Sequence, residues 1–231
     1  MTDPVPALVA QAQAALVAAA NPDDAGPMQA YMKTDMPFLG VKAGPRREAT
    51  RTVVRAPLPD RETYERLVLG LWALPHREGH YVALDLAMRH ARFITLDSLP
   101  LYERLVREGQ WWDLVDGVAS NLVGAVLLKQ RAALAPLMER WVEDPDLWIR
   151  RTAILSQLRH KSRTDADMLF RFCLARAHER EFFMTKAIGW ALREYAKAEP
   201  AAVLAFLDAH HAALAPLSLR EASKHLDWSR P

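Results

Sequence analysis

The sequence predicts an all-α fold. Apolar residues recur at helical spacing along almost the whole chain; after Asp60, for example, they occupy positions 64, 67, 68, 71 and 72. Glycine is scarce, with nine residues among 231, and no segment sustains the alternation typical of a strand. Short interruptions therefore divide the chain into about ten to thirteen helices. The predicted interruptions lie at Pro22, Pro37, Pro45, residues 57–59, Gly79, Asp97, Gly109, residues 144–145, residues 161–162 and residues 199–200.

Four tryptophans suggest a repeat. Trp72, Trp112, Trp148 and Trp190 are separated by 40, 36 and 42 residues, close to the roughly 40-residue period of HEAT-like helix pairs. Stacked antiparallel helix pairs would form an α-solenoid with one concave face, which is a binding surface. We therefore expect a single HEAT-like repeat domain over residues 1–231, with a concave basic face.

Composition excludes several classes of protein. A hydrophobic content of 51% is enough for a substantial core, and the net charge of +2 permits nucleic-acid binding without indicating it. Cys173 is the only cysteine and lies in an apolar run, so we expect a buried thiol, no internal disulfide and a reducing compartment. No apolar stretch reaches the roughly 18–20 residues of a membrane span, and the alanine-rich residues 12–20 resemble an amphipathic helix more than a signal peptide. We expect a cytoplasmic protein, associated with the nucleoid if bacterial.

An unusual group of residues lies at positions 111–116, where two indoles and two carboxylates interrupt an apolar helix. A helical projection places Asp113 on the polar side, where the helix dipole explains it, and places Asp116 beside Trp112 at the edge of the apolar stripe. The centre of that stripe is expected to contain Trp111, Val115, Val118, Ala119 and Leu122. Asp116 is then either a structural acid paired with an arginine or a functional carboxylate presented with an indole.

Two further residues are unusual in their positions relative to the apolar stripes of their helices. Arg151 lies among leucines and isoleucine, so it either pairs with a buried carboxylate such as Asp116 or meets a phosphate, and both can hold at once. Trp190 lies on a flank of the helix predicted over residues 182–196, near Lys186 and Arg193. It either packs on the next repeat or lies along a nucleic-acid backbone.

Basic residues are numerous enough to line a phosphate-binding track if they converge on one face, although most surface charges are only solvated. The irregular segment 33–45, of a kind that often binds ligands, leads into a basic helix that also contains Arg51 and Arg55. The candidate DNA contacts are Lys33, Lys42, Arg46, Arg47, Arg150, Arg159, Lys161 and Lys186.

Other chemical signatures are weak. His76 and His80 share a possible helix face but lack the glutamate placement and third ligand of a metalloprotease, so we interpret them as a turn. The chain has no phosphate-cradling glycine loop, no Ser-His-Asp or Cys-His signature and no zinc spacing. We expect no cofactor and no metal.

Motifs spread over most of the chain resemble the DNA alkylation repair family of HEAT-like, AlkD-like glycosylases. The matching segments are residues 31–33 with 37–42, 71–72 with 81–85, 111–116 with Ala119, Asn121 and Gly124, 147–155, 186–195, and 217–218 with 220–222 and 224–225. The resemblance implies an all-helical solenoid that excises cationic alkylated purines, such as N3-alkyladenine and N7-alkylguanine, from duplex DNA.

Carried over residue by residue, the resemblance implies that Asp116 is the catalytic acid, that Trp112 and Trp190 are active-site tryptophans and that Arg151 is the site arginine. It also implies a protein that reads the DNA backbone and need not extrude the damaged base. Arg159 and Ser223 depart from the lysine and leucine more usual at these places. The partner is double-stranded DNA with alkylated bases, and no obligate protein partner or membrane is indicated. A non-catalytic HEAT-like scaffold for DNA or protein is the alternative.

Overall fold

The computed structural model describes residues 3–229, which form helices and connections with no strand. The chain divides into two compact units, Met1–Ile94 and Thr95–Pro231. The described part of the first unit contains α1 (Val5–Ala18), α2 (Pro22–Met32), α3 (Ala43–Ala49), α4 (Arg51–Val54), α5 (Arg61–Trp72) and α6 (Arg77–Arg89).

The described part of the second unit contains nine α-helices and a π-helical segment, Val118–Val123. Its α-helices are α7 (Leu99–Gly109), α8 (Trp112–Gly117), α9 (Gly124–Lys129), α10 (Arg131–Val142), α11 (Leu147–Leu155), α12 (Ala166–Ala175), α13 (Phe182–Ala196), α14 (Pro200–His210) and α15 (Pro216–Ala222). Short 3-10 turns cover Ala91–Phe93, Leu96–Ser98 and Lys161–Arg163.

The all-α prediction is confirmed. Residues 3–229 contain fifteen α-helices instead of ten to thirteen, partly because residues 43–54 and 112–129 are each divided. Helices pack in neighbouring sets within each unit, as expected for a solenoid-like fold: α5 packs against α1 and α6, and α11 packs against α10 and α13. The single domain over residues 1–231 and the concave basic face stay predictions.

Helix α13 has the predicted bounds and the predicted core. Its apolar stripe, Met184, Ile188, Ala191, Leu192 and Tyr195, is buried. The helix begins where the Glu181 side chain accepts a hydrogen bond from the Met184 amide at 2.9 Å, which satisfies a backbone donor of the first turn. A Cβ on Gly189 would lie 2.8 Å from the Ser218 carbonyl oxygen, so glycine allows α13 and α15 to approach closely.

The interruption expected at Gly79 lies a few residues earlier, at residues 73–76 between α5 and α6. Gly79 lies in the first turn of α6, where a Cβ would be 2.6 Å from the Leu74 Cβ and 2.8 Å from the Leu71 carbonyl oxygen. The glycine therefore serves close packing instead of a turn. Of the turn predicted at His76 and His80, His76 lies in the bend before α6, at the N-cap position. His80 instead lies within α6, and its ring centre is 4.0 Å from that of Trp72.

The irregular segment after α2 is tied to the first unit by a buried carboxylate. Glu78 is fully buried and accepts hydrogen bonds from the amides of Leu39 and Val41 at 3.0 Å. The Asn21 amide donates to the Leu39 carbonyl at 2.9 Å. Gly40 between these anchors has φ +78°, and a Cβ there would lie 2.0 Å from the Asn21 carbonyl oxygen. Glycine is required at this position by both backbone angle and space.

No helix within residues 3–229 combines the length and apolar character needed to cross a membrane.

Gly40→Ala should lower the free energy of unfolding by about 1–3 kcal/mol, because alanine is strained at this φ and its methyl overlaps a carbonyl. Gly44→Ala is the matched control: position 44 is helical, with nothing within 4 Å of an added Cβ, so stability should be unchanged or slightly raised. The denaturant midpoints of both variants measure their stability, and equal midpoints would contradict the requirement for glycine at position 40.

Candidate functional site

The four residues predicted to act in catalysis all belong to the second unit, where an ion pair joins two of them. Arg151 on α11 binds Asp116 on α8 through two hydrogen bonds, Nε to Oδ1 at 2.7 Å and Nη2 to Oδ2 at 2.9 Å. The side chains are 5% and 14% exposed, respectively. A bidentate pair of this kind fixes both the position and the plane of the carboxylate.

Burial and the neighbouring arginine have opposite effects on the ionisation of Asp116. Burial raises the pKa of the Asp116 carboxyl above its ordinary value, and the negative charge of Asp113 acts in the same direction. The hydrogen bonds and charge of Arg151 limit that rise. Without Arg151 the carboxylate would be a buried charge with its main partner removed.

Arg151 also connects the pair to α13. Its Nη1 donates to the carbonyl oxygen of Phe183, and its guanidinium carbon lies 5.9 Å from the centre of the Phe183 ring. One side chain therefore ties together α8, α11 and the first turn of α13. The contact to Phe183 was not predicted, since a backbone acceptor leaves no mark in a side-chain pattern.

The π-helical segment begins two residues after Asp116. The Ser120 hydroxyl donates to the carbonyl oxygen of Asp116 at 2.7 Å, and the Asn121 amide donates to the carbonyl oxygen of Gly117 at 3.0 Å. These side chains bind carbonyls whose helical hydrogen bonds are displaced where the helix changes from α to π. Single-turn π segments occur frequently at functional sites. The helical projection assumed a regular α-helix and therefore did not predict this π-helical segment.

Trp111 does not occupy the centre of the apolar stripe, which corrects the expectation. It precedes α8 with extended backbone angles, and its half-buried ring packs with the rings of Trp148 and Phe183 at 5.8 Å and 5.1 Å. The other members of the predicted stripe, Val115, Val118, Ala119 and Leu122, are fully buried. The aromatic cluster lies on the same side of α13 as the Arg151 contact, because Phe183 belongs to both.

Trp112 and Trp190 are both half-buried. Trp112 begins α8, one turn before Asp116, and Trp190 lies seven residues after Phe183 on α13. A cleft of about 730 Å³ lies beside Trp190. Its lining includes two predicted DNA contacts, Arg159 and Lys161, and also Lys197, which the sequence analysis missed. The structure therefore brings an indole and three cations to one cleft.

Four predicted DNA contacts belong to the first unit. Arg46 is buried, donates a hydrogen bond to Asp85 at 3.1 Å and lies 4.8 Å from the centre of the Tyr81 ring. Arg47 is exposed, and its Nε lies 3.8 Å from the same aspartate, beyond hydrogen-bond distance. Arg47 borders a cleft of about 630 Å³ whose other cations are Arg51, Arg55 and Arg89. Lys33 is exposed, and Lys42 is exposed but paired with Asp24 at 2.8 Å.

Arg150 and Lys186, which belong to the second unit, each bind a glutamate. Arg150 forms two 3.0 Å hydrogen bonds with Glu179 and donates to the carbonyls of residues 144 and 145 at 2.8 Å. Lys186 contacts Glu221 at 2.9 Å, and this hydrogen bond is the main reason that the pKa of Glu221 is lowered. Arg150 therefore has a clear structural role.

Within residues 3–229, no group of three or more His, Cys, Asp or Glu side chains is arranged to hold a metal ion. Cys173 is buried, as predicted, and burial raises the pKa of its thiol.

Arg151→Met should lower the free energy of unfolding by about 3–5 kcal/mol, because it leaves the Asp116 carboxylate buried without its cation. Arg171→Met makes the same chemical change at a pair with Glu139 in which both side chains are about half exposed. That control should change stability by less than about 1 kcal/mol. Denaturant unfolding compares the two, and equal losses would show that the buried pair has no special weight.

Comparisons with known proteins show the family to which the chain belongs. The model of a family described as DNA alkylation repair enzyme matches residues 12–226. A solved structure described as a predicted DNA alkylation repair enzyme from Enterococcus faecalis is similar, with a TM-score of 0.82 and 29% identity over 91% of this chain and 98% of that chain. No curated protein matches the sequence. Since the family match spans nearly the whole chain, the protein belongs to the DNA alkylation repair enzyme family.

Proposed function

We propose that this protein is a DNA glycosylase that hydrolyses the N-glycosidic bond of cationic alkylated purines in duplex DNA. N3-alkyladenine and N7-alkylguanine are the proposed lesions. The observation that carries the proposal is the largely buried carboxylate of Asp116, which Arg151 of α11 binds at both oxygens. Asp116 lies on α8, the helix that also presents Trp112. Membership of a DNA alkylation repair family supports the substrate class.

The chemistry needs only one carboxylate. Alkylation gives the purine a positive charge, so the base leaves with the electrons of the C1′–N bond as a neutral molecule and needs no general acid. Positive charge develops on the deoxyribose as this bond breaks, and a fixed carboxylate stabilises it. Asp116 would also orient the water that attacks C1′. We expect the reaction to fail with neutral bases, which leave poorly.

The indoles and Arg151 have separate roles in this proposal. The electron-rich faces of Trp112 and Trp190 would lie against the sugar and the cationic nucleotide. This arrangement does not require the damaged base to be extruded into a pocket, in contrast to glycosylases that flip the base. Arg151 would position the carboxylate, since three of its N–H groups already bind Asp116 and Phe183.

We propose that the two clefts supply the phosphate contacts. Arg159, Lys161 and Lys197 would bind the backbone beside Trp190, and Arg47 with Arg51, Arg55 and Arg89 would bind it in the first unit. Lys33, Lys42 and Lys186 remain candidates for further contacts. Arg46 and Arg150 are left out because their side chains are only 9% and 15% exposed and their guanidinium groups bind protein partners.

A non-catalytic scaffold is the second candidate, and the same ion pair favours it, because a buried Arg–Asp pair can serve structure alone. The distinction is whether Asp116 is needed for base release. A scaffold would bind duplex DNA with salt-dependent affinity and release no base in either the wild type or an Asp116 variant.

The wild type should release free 7-methylguanine and 3-methyladenine from methylated duplex DNA, as quantified by chromatography of the released bases. Asp116→Asn should lower the single-turnover rate by about 100-fold or more, because the charge that stabilises the sugar is lost. The variant should retain salt-dependent duplex binding.

Asp113→Asn is the matched control, since it makes the same change on the polar side of the same helix and should leave the rate within a few-fold. Thermal melting of each variant checks that the fold is intact. Release no greater from the wild type than from Asp116→Asn would refute the glycosylase proposal.

A further inference from the structure

His160 is a buried titratable side chain that the proposed reaction does not use directly. It is 3% exposed and follows α11, and its Nε2 lies 2.8 Å from the carbonyl oxygen of Gly124. A carbonyl only accepts hydrogen bonds, so Nε2 carries the proton. Nδ1 is buried without a hydrogen-bond partner among the described residues.

Gly124 is the first residue after the π-helical segment and has no space for a side chain. A Cβ there would lie 2.3 Å from the carbonyl oxygen of Ser156 and 3.2 Å from that of Ala119. The chain around Ser156 and His160 therefore packs directly against the end of the π segment.

The helical stretch 112–129 is thus attached to the α11 region at two points. Arg151 binds Asp116 before the π segment. After the segment, His160 binds the Gly124 carbonyl, and the Ser156 carbonyl packs closely against Gly124. A π segment has one residue more than the α-helix that would span the same length. If it reverted to α-helix, Asp116 and Gly124 would rotate relative to each other by about 100°, the angle of one residue. A change to regular α-helix would therefore turn Asp116 or Gly124 away from its partner in the α11 region.

We propose that His160 is a positioning residue that maintains the π segment and thereby aims the Asp116 carboxylate. The inference rests on the proposed glycosylase function. The bond to Gly124 explains why a polar ring is present here, because an apolar side chain would avoid leaving Nδ1 buried and unpaired. Burial lowers the pKa of His160, and the charges of Arg131 and Arg163 act in the same direction, so the neutral ring that donates through Nε2 is favoured.

His160→Leu should lower the single-turnover rate of base release by about 10- to 100-fold at saturating DNA, because a small misplacement of the carboxylate is costly. Arg159 and Lys161, the proposed phosphate contacts on either side of His160, keep their side chains, so the affinity for undamaged duplex should fall by a smaller factor than the rate. His160→Gln should restore most of the rate, because its side-chain amide can donate to the same carbonyl.

Leu207→Ala is the control for general destabilisation, since Leu207 is fully buried on α14 in the same unit. It should lower the thermal midpoint while leaving the rate within about twofold of the wild type at a temperature where all variants are folded. A His160→Leu rate equal to that of the wild type, or a similar loss in Leu207→Ala, would overturn the positioning role.

Hydrogen exchange provides a readout that does not depend on activity. Amides of residues 118–124 should exchange at least about tenfold faster in His160→Leu, but not in His160→Gln. Unchanged exchange would overturn the proposed tie. Absence of base release by the wild type would refute the glycosylase proposal and, with it, the positioning role of His160. Release by His160→Leu at the wild-type rate would overturn only the inference about His160.

Discussion

The bidentate ion pair between Asp116 and Arg151 is the interaction on which the candidate site depends. The Arg151 and Asp116 side chains are 5% and 14% exposed, so each is the main compensation for the other's largely buried charge. The third bond of Arg151, to the Phe183 carbonyl, extends the pair to α13 and to the aromatic cluster. An acid held in this way loses little freedom when a substrate arrives, which is how preorganised charge lowers a barrier. The same rigidity makes the pair a structural element.

Much of this site could be predicted because its residues break a pattern. Asp116 and Arg151 each interrupt an apolar stripe, and two buried opposite charges must find partners. The bounds of α13 were predicted from the periodicity of its apolar residues. The π segment could not be predicted by projection on a regular helix, because the projection itself assumes a constant angle per residue. The signal was the Ser120–Asn121 pair within an apolar run.

Basic residues were the weakest part of the prediction, for a physical reason. A charge pattern shows that arginines are present but not which carboxylates or carbonyls they meet after folding. Arg150 is thus occupied by Glu179 and two carbonyls, whereas Arg89 and Lys197 line clefts without having attracted notice. The role of Gly79 was mispredicted for the same reason, since the close packing that requires glycine there depends on tertiary contacts.

The central claim is that one fixed carboxylate suffices because the leaving base is already a cation. The most direct test measures single-turnover release of N7-methylguanine and of hypoxanthine, a neutral base, from duplexes of otherwise identical sequence. Release of N7-methylguanine should depend on Asp116 and exceed that of hypoxanthine by at least about 100-fold, equivalent to roughly 2.7 kcal/mol of barrier. Equal rates for the two bases would contradict the claim.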